Sequence, residues 1–67
     1  MNYSSVQLQE AKRQIESTIH KLKETIITLE AKENVHRYKS QITLAKRRIE
    51  AFEISLFLIE KEMNLIL

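Results

Sequence analysis

From Val35 to Ile66, apolar residues return at intervals of three and four without a break: Val35, Tyr38, Ile42, Ala45, Ile49, Phe52, Leu56, Ile59, Met63 and Ile66. A repeat averaging about 3.5 residues holds one stripe on one side of an α-helix, and only another helix lying along it satisfies that stripe. The same stretch carries a second apolar set, Leu44, Ala51, Ile54, Leu58 and Leu65, with Phe57 beside it, roughly opposite the first on a helical wheel. One neighbouring helix cannot cover both faces. A chain patterned in this way is expected to bind something.

The earlier half supplies the first neighbour. Leu8, Ile15, Ile19, Leu22, Ile26 and Leu29 form a seam of the same spacing, with Lys12 interrupting one turn. Ser4 has N-cap chemistry, Gln7 stands where a capping-box side chain reaches back, and Tyr3 is placed to staple against Leu8. Ser4, Ala11, Thr18 and Thr25 lie a heptad apart on one flank, small enough to let another helix approach. Between Leu29 and Val35 the seam loses one residue of register, and Asn34 is the residue there with cap or left-handed turn character.

The expected architecture is all-α: an antiparallel hairpin with helices over 4–31 and 35–66 and a turn at 32–34, forming a single domain. One continuous helix fits the same pattern if no turn forms. Folding back at residue 33 pairs Leu29 with Tyr38, Leu22 with Ala45, Ile15 with Phe52 and Leu8 with Ile59, so large residues tend to meet smaller ones. The edge charges leave the register open. Glu30 would face Lys39, but Lys23 would face Lys46 and Glu16 would face Glu53, each exposed pair being worth only tenths of a kcal/mol.

A chain of 67 residues is below the size at which one core supplies comfortable stability. No cysteine is present for a disulfide, and two separated histidines do not suggest a structural metal. Association with another chain is the remaining source of stability. Gly, Pro and Asp are absent, which leaves strand pairing without turn chemistry. Eleven cations interleaved with nine glutamates, net +2, read as a solvated helix surface. The first residues lack a secretory pattern, and the longest strongly apolar run, Ile54 to Ile59, is far short of the roughly 20 residues of a membrane span. A soluble cytoplasmic location is expected.

Candidate chemistry is sparse. Glu33 and His36 have the Glu-x-x-His spacing of di-iron ligands, but the pair occurs once and straddles the expected turn. Glu16, His20 and Glu24 share a helical face and read as a solvated charge ladder rather than a metal site. Neither a nucleophile relay nor a glycine-rich phosphate loop is present, so no enzyme, cofactor or metal is expected. Arg37, Lys39, Lys46, Arg47 and Arg48 form a basic segment without an intervening acid, yet they spread over several directions around the helix, which makes nucleic-acid binding a trailing possibility. Membrane-surface binding ranks lower still, because Glu53, Glu60 and Glu62 flank the apolar patch.

Read as a hairpin, the chain resembles the YscE-like co-chaperones of type III secretion. The likeness rests on Tyr38 near the start of the second helix and on Ile49-Glu50-Ala51, followed by Phe52, Ile54 and Leu56. It covers the second helix and little of the first. The spacing after the tyrosine is one residue longer, and the glycine of that family's turn is missing here. The resemblance implies a cytoplasmic adaptor that packs on a larger helical-repeat chaperone, the pair keeping an aggregation-prone needle subunit from polymerising.

The functional expectation is a non-enzymatic interaction module. Leu44, Ala51, Ile54, Phe57, Leu58 and Leu65 are the expected partner-facing residues, with Arg47 and Lys61 as rim charges in the same strip. Burying Ile54, Phe57, Leu58 and Leu65 would contribute on the order of 6–10 kcal/mol before entropy is subtracted. The occupant is either another protein, making the chain an adaptor, or further copies of itself in a four-helix bundle.

Overall fold

The computed structural model describes residues 2–66 and shows a two-helix hairpin. Helix α1 spans Ser5–Glu30, a 3₁₀ turn spans Val35–Tyr38, and helix α2 spans Lys39–Ile66. The helices pack on each other as an antiparallel pair, and the described residues contain no strand. The result is a rod of 49 × 16 × 14 Å.

Helix α1 starts where its first side chains can satisfy the orphan amides. Gln7 N–H donates to Ser4 Oγ at 3.2 Å and Ser4 N–H donates to Gln7 Oε1 at 2.9 Å, a complete capping box. Tyr3 and Leu8 then line one shallow depression with Ile59 of α2, so the residue before the cap is drawn to the residue it was expected to staple. At the other end, Ala31 N–H donates to Ile27 O and Lys32 N–H to Leu29 O, which closes the helix over residues 31–34.

Two details of the turn depart from expectation. Asn34 sits at φ −103°, ψ 53°, not in the left-handed region, and no described residue has a positive φ. The chain reverses without any positive φ among the described residues, which explains how it manages without glycine. The second helix also does not begin as an α-helix at Val35. Its first turn, Val35–Tyr38, is 3₁₀, tied by Arg37 N–H to Asn34 O at 3.0 Å. With three residues per turn, 3₁₀ winding puts Val35 and Tyr38 on one side, and both pack on the core. The Lys32 ammonium lies 5.6 Å from the centre of the Tyr38 ring, a cation–π contact across the turn.

The core is a single seam formed by Ile19, Ile26, Leu29, Ile42, Ala45 and Ile49, flanked by half-buried Ile15, Leu22, Val35, Tyr38, Phe52 and Leu56. The register agrees with a fold at residue 33: Leu22 and Ala45 line one groove, Leu8 and Ile59 another. Ion pairs join the helices near both ends. Lys12 Nζ, the cation that interrupts the α1 seam, reaches Glu60 Oε1 at 3.7 Å, and Lys46 Nζ lies 3.8 Å from Glu30 Oε2. Glu30 is thus paired with Lys46 and not with Lys39. Both pairs are half-exposed and worth at most about 1 kcal/mol each.

Burial is uneven along the rod. Every buried residue of α2 lies between Ile42 and Ile49, and beyond that Phe52, Leu56, Ile59 and Met63 are only half-buried. On α2 the turn-proximal half therefore carries the complete burial, while at the far end Leu8 of α1 is the buried residue. Ile26→Ala should destabilise the hairpin by about 2–4 kcal/mol, a large share of what so small a domain possesses, whereas Met63→Ala should cost under about 1 kcal/mol. Urea denaturation followed by far-UV circular dichroism measures both; equal losses would show that the seam is uniformly packed.

Candidate docking face

Because α1 occupies the stripe from Ile42 to Met63, the opposite face of α2 is left without a neighbour. The expected partner residues all lie there and all are exposed: Leu44 (49%), Ile54 (55%), Phe57 (66%), Leu58 (57%), Leu65 (77%), and Ala51 with them. From Leu44 to Leu65 the strip runs about 32 Å along the helix at 1.5 Å per residue. Arg47 and Lys61 continue it, also exposed. Several hundred Å² of contiguous apolar surface on one helix face is the scale associated with interaction sites. Leu44 and Arg48 additionally border a shallow groove of about 220 Å³ with Leu22, Thr25 and Leu29, so the strip's turn-proximal end is shared with α1.

The whole-molecule area reflects the rod shape. The chain exposes 5565 Å². A compact monomer of its 8.0 kDa would expose about 4,450 Å², so the hairpin leaves roughly 1,100 Å² more in water than its mass requires. Its radius of gyration, 15.2 Å, exceeds the roughly 11 Å of a compact chain of the same length for the same reason.

Charges around the strip are distributed unequally. The two ion pairs that α2 makes, through Lys46 and Glu60, both sit at the edge of the core stripe. Among the described residues, Arg47, Arg48, Glu50, Lys61 and Glu62, in or beside the outer strip, make no ion pair. Arg48 and Glu62 lie along one edge, while Glu50 and Phe57 lie along the other.

Other candidates resolve into local contacts. His20 Nε2 lies 3.0 Å from Glu24 Oε1 on an exposed face, and no group of three potential metal ligands exists among the described residues. Glu33 sits in the turn and His36 in the 3₁₀ segment, both exposed. Thr18 and Thr25 Oγ1 donate to their own helix at Gln14 O and Lys21 O. No helix of the described residues is long and apolar enough to cross a membrane. Val6 and Ile27 are exposed apolar residues of α1 that the seam reading leaves out. The Ile26-Ile27 doublet was the available signal for the second, since one seam can bury only one of two successive residues. Comparison with family models, curated proteins and solved structures finds no match.

Glu10 has a carboxylate perturbed by its neighbours. Its carboxylate accepts from Arg13 Nη2 at 2.7 Å and from Gln14 Nε2 at 2.9 Å, and these bonds, Arg13's first, hold it below the usual carboxylate range. A folded-state pKa below the unfolded value makes a favourable contribution at neutral pH that disappears as pH falls through the folded midpoint. An NMR titration should place the Glu10 midpoint below the ordinary glutamate range, and Arg13→Ala should raise it; an unmoved midpoint would show that the fork is not populated in solution. Single polar substitutions on the outer strip, such as Leu58→Gln, should change the stability of the isolated monomer by no more than about 0.5 kcal/mol, read from urea melts at low concentration.

Proposed function

We propose that this chain is a non-enzymatic protein-interaction module, a small cytoplasmic adaptor or co-chaperone that docks the outer face of α2 on a helical partner. The observation that carries the reading is the position of Ile54, Phe57, Leu58 and Leu65 on the face of α2 opposite the core stripe, with Leu44 at the end of the strip that borders α1. A helix with two apolar faces and one neighbour has half of its burial unmade, and completing it on another protein converts that deficit into affinity. Ala51 gives a close-approach point in the strip, and Arg47 and Lys61 act as rim charges. The likeness of Tyr38 and Ile49-Glu50-Ala51 to the YscE-like co-chaperones gives the adaptor reading its more specific form: docking on a helical-repeat chaperone that shields a needle subunit of type III secretion. The second reading, self-assembly through the same face, is favoured by the charge distribution along α2.

Ile54→Glu with Leu58→Glu tests the face. A tagged wild-type chain recovered from the cells that make it should pass through gel filtration with a partner in fixed ratio or as an oligomer. The double variant should emerge alone with its helix content intact by circular dichroism. Unchanged association would place the docking face elsewhere, and a wild-type chain that remains a well-behaved monomer carrying nothing would end the interaction reading.

A further inference from the structure

We propose that, when no other protein covers it, the outer face of α2 is occupied by the same face of a second copy, with the two α2 helices antiparallel about a two-fold axis beside Ser55 and Leu56. This rests on the outer face being a docking surface, and it names the occupant and its orientation.

The charge order of α2 and its preceding turn carries the argument. From residue 37 to 48 there are five cations, Arg37, Lys39, Lys46, Arg47 and Arg48, and no acid. From residue 50 to 62 there are four glutamates against Lys61 alone. A helix basic at one end and acidic at the other is complementary to itself when reversed and repels itself when parallel.

The individual positions agree on where the axis falls. With the axis beside Ser55 and Leu56, Arg48 of one copy comes level with Glu62 of the other along one edge of the strip. Along the opposite edge Lys61 comes level with Glu50 of the other copy. In the middle Ile54 of one copy comes level with Phe57 of the other and within about one residue of its Leu58. Each pairing is made twice by symmetry, as an isologous interface requires. These four charged residues have no ion-pair partner among the described residues, so nothing must be broken to form the interface. A parallel arrangement would instead bring the basic segment 37–48 of each copy level with its counterpart.

A standard interface removes about 800 Å² from each partner, and the strip from Leu44 to Leu65, about 32 Å long, is the surface on which it would form. Since the same strip serves any other docking partner, the dimer and a mixed complex exclude each other.

Sedimentation velocity on the full chain should show a species of twice the 8.0 kDa monomer in the micromolar range. Arg48→Glu puts two glutamates level at both symmetric positions, and Glu62→Arg puts two arginines there. Each single variant should weaken the dimer on the order of 10–30-fold while leaving helix content unchanged. An equimolar mixture of the two single variants should recover a heterodimer at least as stable as wild type, and the Arg48→Glu, Glu62→Arg double variant should return to wild-type strength. Single variants as strong as wild type would point to another register, and a double variant as weak as the single ones would point to a parallel pair; either would overturn the proposal, as would a monomer at all concentrations. A chain that stays monomeric alone but still co-purifies with another protein, and loses it on Ile54→Glu with Leu58→Glu, would reject the self-pairing and leave the adaptor reading intact.

Discussion

Two packed helices can hide only one stripe of each, and the rest of this molecule follows from that geometric limit. Helix α1 has one apolar seam and spends it on α2; helix α2 has two and can spend only one on α1. Unlike a bundle of three or four helices, a hairpin has no second neighbour to take the remainder. The exposed leucines, isoleucine and phenylalanine of the outer strip are thus a structural remainder as much as a functional device, and their clustering on one line makes them usable.

The core is concentrated by the way the chain turns. A reversal without glycine or any positive φ needs four residues and a 3₁₀ segment, and the tighter winding rotates Val35 and Tyr38 inward to extend the seam to its end. Ala45 opposite Leu22 and the contact of Lys32 with Tyr38 keep the helices close at that end. Towards the termini Phe52, Leu56, Ile59 and Met63 of α2 are only half-buried, although Leu8 of α1 remains buried there. The distal half of α2 is therefore less completely covered on its inner side, and its outer side is exposed.

Much of this was legible in the residues because it follows from periodicity and local hydrogen bonding. The capping box of Ser4 and Gln7, the pairing of Leu8 with Ile59 and of Leu22 with Ala45, and the exposure of Leu44, Ile54, Phe57, Leu58 and Leu65 all descend from helical geometry. What was not legible depended on tertiary detail. Asn34 has left-handed potential that the surrounding turn does not use, and the choice of 3₁₀ over α winding at Val35 is set by how the second helix must seat on the first. Glu30 reaches Lys46 and not Lys39 because long side chains reach along the groove to the best available partner, which a residue-level pairing does not capture. Val6 and Ile27 fell outside the seam, and only the Ile26-Ile27 doublet signalled the exposure of the second.

The uneven burial along the rod has a consequence for how the molecule opens. Contacts near the turn join residues close in sequence, so they close small loops, while those near the termini close loops spanning nearly the whole chain. Amide protons of Ile26, Leu29 and Ile42 should therefore exchange with solvent only through global opening, and those around Tyr3 to Leu8 and Ile59 to Met63 through partial unzipping of the termini. The stretch that frays first is thus the same stretch whose outer side is most apolar, so an arriving helix meets it at its most adaptable.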